Sequence, residues 1–318
     1  MAVRLPELRL GRRRGPGIPR SGEARREERA AYLFLLPWLA GLVFFLAVPL
    51  AWSVWISLTD ERLLKAGEFI GTANYERIFT ADPSFSHSLG VTIRWIVFTT
   101  PLFMAAGLGL ALLLNQRLPG MNIFRTLLYI PAVLSGVAVT ILWAVLLNGE
   151  VGAVNTILRD LGISDPPQWF QEEAWALPAV AIMGLWGVGG GAVIFLAGLQ
   201  NIPPHLYEAA QLDGAGPVAR FRHITLPMLS PTLFFLLISA VIDALLIIGP
   251  LIVLAGRAGG GGPGDSLLFY MLYLYRMGFV RGELGYAAAL AWILTIVGVV
   301  LVYLTFRLER RFVFYETE

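Results

Sequence analysis

The chain has 318 residues, 57% of them hydrophobic and only 14% charged, with a formal net charge of +2. Soluble domains carry about a quarter charged residues, so this balance points to the bilayer as solvent and leaves little length for a separate soluble domain. The absence of cysteine excludes a disulfide framework, thiolate catalysis and cysteine-ligated metal, and the three histidines, His87, His205 and His223, have no metal-binding spacing.

The first 30 residues hold nine arginines and predict a disordered basic arm, residues 1–30, ahead of a membrane domain over 31–318. A hydrocarbon core of about 30 Å takes roughly 20 apolar residues in a helix. Six stretches meet that length: 31–58, 91–114, 127–148, 174–200, 226–255 and 284–306. The first is too long for the apolar part of a signal peptide and no small-x-small cleavage site follows it, which predicts an uncleaved first span. Arg94 lies near a span end and can snorkel to the headgroups, whereas Asp243 is the one charge near the middle of a span. Pro49, Pro101, Pro131 and Pro250 each lack a backbone donor and predict kinks. The run Gly189, Gly190, Gly191 in the fourth span fits either close helix packing or the irregular wall of a wet cavity.

Orientation follows from Lys and Arg placement. With the amino terminus in the cytoplasm, sixteen of these residues fall inside and seven outside. Setting the arm aside leaves seven on each side, Arg117 inside and Arg257 outside among them, so the arm alone decides. Both termini are expected in the cytoplasm.

Between the fourth and fifth spans, residues 201–227 are too polar to cross a membrane but carry ordered helix signals. Pro203 and Pro204 suit a first helical turn, and Glu208 complements the positive helix end. Leu206, Ala209, Ala210 and Asp213 share a face, and Gly214 or Gly216 can end the helix. A short helix of about two to three turns results. It is either a knob for a partner's groove or an interfacial linker.

The run Tyr207-Glu-Ala-Ala-Gln-Leu-Asp-Gly-Ala-Gly216, followed by Phe221 and Ile224-Thr-Leu-Pro227, resembles the "EAA" loop of binding-protein-dependent ABC importer permeases. The likeness extends to the maltose-type sugar permeases. Its carriers are Leu35-Leu-Pro37, Phe69-Ile-Gly-Thr-Ala-Asn-Tyr75, Asp82-Pro-Ser-Phe85, Phe124-Arg-Thr-Leu-Leu-Tyr-Ile-Pro131 and Trp143. Gly152 with Asn155, Phe195-Leu-Ala-Gly-Leu199, Tyr273-Leu-Tyr275, Phe279 and Gly285 add to them. Gly90-Val-Thr92 and Ile242-Asp-Ala-Leu-Leu246 depart from the pattern, and the arm lies outside it.

The resemblance implies an all-α, polytopic type I ABC importer permease fold of about six spans in the cell inner membrane. It implies a coupling helix that docks on a separate ATPase through Tyr207, Glu208, Ala209, Ala210, Leu212, Asp213 and Gly214. It further implies a second homologous permease, two ATPase subunits that bind ATP and Mg, and an extracytoplasmic solute-binding protein. The chain itself has no phosphate loop, and its one lysine is Lys65. It is therefore expected to do no chemistry and to hold no cofactor or metal, and nothing in it calls for nucleic acid.

The expected cargo is a sugar or sugar-like solute, with a glycerol-phosphate-like one also open. Candidate path residues are Asp243, Trp186, Gly190 and Trp143. A carboxylate in mid-bilayer is a functional-site hypothesis, with a hydrogen-bonded structural Asp as the other reading. The tryptophans could stack on a sugar ring or serve as packing. An ion-coupled secondary transporter using Asp243 is the alternative function.

Overall fold

The computed structural model describes residues 22–116, 118–255 and 260–312. Residues 1–21 of the basic arm, Arg117 and Arg257 lie outside the described residues. The expected disorder of the arm does not extend to residues 22–30, because helix α1 (Gly22–Leu42) already includes them. Among the described residues strand pairing is limited to three isolated bridges, so the all-α expectation holds.

The chain forms two units, residues 1–53 and 54–318. In the first, α1 runs through a π-helical turn, Val43–Ala47, into α2 (Val48–Ser57). Pro49 has no N–H to give the carbonyl of Phe45, and widening to a π turn absorbs the missing bond. The same arrangement recurs later, where the π turn Phe221–Thr225 precedes Pro227. Large apolar side chains from Tyr32 to Trp52 are exposed, as suits a helix whose surroundings are hydrocarbon.

The second unit is built around α4 (Pro83–Leu114), a helix of 32 residues. Asp82 caps it by accepting from the amides of Ser84 and Phe85 at 3.0 and 3.2 Å, with Pro83 in the first turn. Pro101 sits within α4 without breaking it. Before α4 comes α3 (Ala73–Thr80), and after it α5 (Met121–Val133), α6 (Gly136–Leu146) and α7 (Ala153–Asp160). Then follow α8 (Glu173–Trp186), α9 (Gly189–Gln200), α10 (Pro204–Leu212), α11 (Pro217–Arg220) and α12 (Leu226–Met228). The chain continues with α13 (Ser230–Leu245), α14 (Gly249–Ala255), α15 (Tyr270–Tyr275) and α16 (Leu284–Phe312).

Among the described residues, four helical stretches are long and apolar enough to cross a membrane, and six if each of two bent pairs forms one span. The third expected span breaks between α5 and α6, which meet at 97°, and the fourth between α8 and α9, at 50°. Pro131 and Ser135 sit at the first break, where the chain turns extended at Leu134. Pro250 is not a mid-helix kink. It opens α14, where a missing donor is harmless.

α4 packs against α9, α13, α15 and α8. Small residues set the spacing: Gly107 of α4 meets the ring of Phe195, and a Cβ on Gly184 would stand 2.5 Å from Phe103. At the amino-terminal end of α4 the motifs scattered through the sequence converge. Asn74 donates to the carbonyls of Ser57 and Thr59 at 2.9 and 2.8 Å. The hydroxyls of Tyr273 and Tyr286 both donate to one Asp82 oxygen, and burial together with that bond pushes the Tyr273 hydroxyl above the ordinary phenol range. Arg77 pairs with Glu283 at 2.6 Å. Gly285 lies so close to the Thr59 carbonyl that a Cβ there would be 2.1 Å away. The opposite end of α4, with Ala111 and Leu114, is buried with Leu199, Ile202 and Leu229 and carries α10 beside it.

Candidate coupling helix and translocation cavity

The polar segment expected to be a helix is α10. Pro203 and Pro204 open it, and it ends in a Schellman turn. The amide of Gly214 donates to the Gln211 carbonyl at 3.1 Å and that of Ala215 to the Ala210 carbonyl at 2.8 Å. Gly214 stands at φ +76° with nothing within 4 Å of where a Cβ would be. Its need for glycine is thus conformational.

α10 is fastened to the membrane core on one face. Leu206 and Tyr207 pack against the cluster of Phe195, Leu199, Ile202 and Leu229. The Tyr207 hydroxyl meets Thr225 Oγ1 at 3.0 Å, which ties the helix to the return arm of the loop. Tyr207 therefore turns inward and Ala210 is half-buried, while Glu208, Ala209, Leu212, Asp213 and Gly214 are exposed. Leu212 is 90% exposed and Val218 on α11 79%. Both are bare apolar side chains on a polar loop, and Glu208 and Asp213 are carboxylates close to Leu212 in the chain.

Within the spans, α4, the α8–α9 pair and α13 enclose a cavity of about 470 Å³. Trp95, Thr99, Thr100, Phe103 and Gly107 form the α4 wall, Gly184, Gly187 and Gly191 the α8–α9 wall, and Phe235, Ser239 and Asp243 the α13 wall. The bend between α8 and α9 provides the room. Its glycines keep that wall thin, and Gly191 has nothing within 4 Å of a would-be Cβ. Asp243 is exposed to the cavity, and among the described residues it has no hydrogen-bond or ion-pair partner. Thr99 Oγ1 donates to the Trp95 carbonyl at 2.8 Å and Ser239 Oγ to that of Phe235 at 3.0 Å. Thr100 Oγ1 is buried with no partner.

The other sequence candidates lie elsewhere. Gly190 faces Ala132 of α5 at 3.4 Å, and its neighbour Gly189 abuts the Leu128 carbonyl, where a Cβ would stand 1.9 Å away. Two of the three glycines thus pack and one lines the cavity. Trp143 and Trp186 form a T-shaped pair with centroids 6.2 Å apart, outside the cavity wall. Trp143 Nε1 is buried without a partner. The cavity hydroxyls at positions 99, 100 and 239 escaped sequence reasoning, although a Thr-Thr pair inside an apolar span and a Ser four residues before Asp243 were visible signals. Gly184, Gly187 and Gly191 share a helical face by spacing, which was a further one.

Bent spans around a mostly apolar cavity that holds one carboxylate, with a short helix fastened at one end of the bundle, define a helical membrane transport protein. The chain belongs to the family described as binding-protein-dependent transport system inner membrane component, which it matches over residues 33–314. It is therefore a multi-pass inner-membrane permease component, not an enzyme. It is 35% identical over 302 residues to the probable ABC transporter permease protein YesP of Bacillus subtilis, covering 95% of this chain and 97% of that one. It is also 35% identical over 274 residues to the trehalose/maltose transport system permease protein MalF of Thermococcus litoralis, covering 86% and 90%. The fold is shared with a bacterial alginate ABC transporter solved in complex with an alginate pentasaccharide-bound periplasmic protein. The TM-score is 0.80 at 23% identity, over 92% of this chain and 98% of that one.

Proposed function

We propose that the chain is one of two permease subunits of an ATP-driven saccharide importer, oriented with α10 and both termini in the cytoplasm. The observation that carries this is α10 itself: a short helix locked by a Schellman turn, tied inward through Tyr207 and Thr225, and offering Leu212 and Val218 outward. Such a knob suits a groove on a separate ATPase subunit, with Glu208 and Asp213 placed for basic residues there. The relatives named for trehalose/maltose and for ABC transport support the cargo class and the energy source. A second permease subunit and two ATPases, which supply ATP and Mg, complete the assembly, and an extracytoplasmic binding protein delivers solute. Closure of the ATPases draws the coupling helices together and switches the cavity between the two sides of the membrane.

Proteoliposomes holding the complete importer, with ATP enclosed and no proton or sodium gradient, should accumulate the solute presented by the cognate binding protein. Uptake that ignores ATP and follows an imposed ion gradient would instead establish the ion-coupled carrier with Asp243 as its ion site.

A further inference from the structure

We infer that the cavity selects by charge: Asp243 and the hydroxyls around it admit an uncharged or amine-bearing saccharide and reject one that carries a carboxylate, sulfate or phosphate, an inference that rests on taking this cavity as the solute path. The polar inventory of the wall is lopsided. Asp243 offers two acceptor oxygens and, among the described residues, no internal partner occupies them. Ser239 spends its single proton on the Phe235 carbonyl and so presents only lone pairs to the cavity, while Thr99 and Thr100, at 1% and 6% exposure, are buried in the α4 wall and bring it no donor. Among the described residues, no Lys, Arg or His lines the cavity.

A wall rich in acceptors and poor in donors complements groups that bring protons. Sugar hydroxyls donate and accept, and an ammonium only donates. A carboxylate or phosphate monoanion has little to donate and would face Asp243 across a narrow, apolar-walled space, where like charges repel much more strongly than in water. Phe103 and Phe235 supply apolar faces for the sugar ring. The glycerol-phosphate-like cargo that the sequence left open is disfavoured by the same chemistry.

The chain has no cysteine, so a single introduced thiol is the one reactive sulfur of this subunit, and its labelling is read on this subunit after separation from the others. Ser239→Cys lies one helical turn from Asp243, with about 5–6 Å between Cβ atoms. In the assembled importer in membranes, this thiol is treated with two methanethiosulfonates of similar size, one bearing a trimethylammonium and the other a sulfonate. The ammonium-to-sulfonate rate ratio should exceed that of a free thiol in solution by about tenfold or more. Adding Asp243→Asn should bring it back toward the solution value, and Asp243→Lys should invert it. Gly191→Cys, in open space on the opposite wall, should behave alike should Ser239→Cys disturb assembly. A ratio equal to that of the free thiol, a ratio unmoved by Asp243→Asn, or thiols inert to both reagents would overturn the inference. ATP-driven uptake by the same vesicles tests the transporter reading separately. Uptake without charge preference at these thiols removes the selectivity alone, whereas no uptake removes the reading beneath it.

Discussion

Asn155 ties together the loop that follows α6 with one side chain. It is fully buried, its amide donates to the carbonyls of Gly149 and Pro167 at 2.9 and 3.0 Å, and its oxygen accepts from Trp169 Nε1 at 2.7 Å. Replacing it by leucine strands the Pro167 carbonyl and the Trp169 N–H in an apolar site, while the Gly149 carbonyl keeps its bond from Arg159. At about 1–3 kcal/mol for each stranded group, Asn155→Leu should destabilise the loop by about 2–6 kcal/mol. Thermal unfolding in detergent and proteolysis within residues 149–172 measure this, and Asn155→Asp, which keeps the Trp169 bond, should fall between. Unchanged cleavage in the leucine variant would mean that the loop is held by other contacts. The sequence marked Asn155 only through resemblance, because its partners lie 6 to 14 residues away in a loop with no periodicity to read.

At the scale of the element, α10 separates shape from contact. Gly214 is in the left-handed region with open space around it, so a methyl group meets no atom and the penalty is conformational, about 1–2 kcal/mol for an ordinary residue. Asparagine tolerates that region. Gly214→Asn should therefore keep most transport, Gly214→Ala should lose part of it, and Gly214→Arg, which also fills the docking surface, should abolish transport and ATPase stimulation while the chain still inserts. Normal transport by a well-expressed Gly214→Arg variant would remove the coupling role. This helix was legible because its signals are local: two prolines at one end, a glycine at the other, and charge in its first turns. The breaks in the third and fourth spans were signalled by Pro131 and by the glycine run 189–191, but their exact places and angles were not, since hydropathy runs on through Leu134 and through Gly187-Val188. The cavity was legible in one residue, Asp243, and not in its walls, which come from four helices far apart in sequence. The inward turn of Tyr207 was hidden for the same reason, as its partner Thr225 is 18 residues on.

For the whole molecule, the loops at residues 120, 166, 214 and 262 connect successive expected spans. Reporter fusions at Gly120, Pro166, Gly214 and Gly262 should read inside, outside, inside and outside, and the reverse order would refute the orientation set by the arginine-rich arm. α4 runs the length of this arrangement. Its first residues are pinned by Asp82 to Tyr273 and Tyr286, its middle forms a cavity wall, and its last turn lies beside α10, the proposed coupling helix. At 1.5 Å per residue such a rod is about 48 Å long. In the proposed cycle, a tilt about the tyrosine pin would make it a lever arm: each degree would carry the far end by about 0.8 Å and the cavity wall by roughly half as much. A stroke of a few ångströms at the α10 end would thus be geared down to a fine adjustment of the cavity.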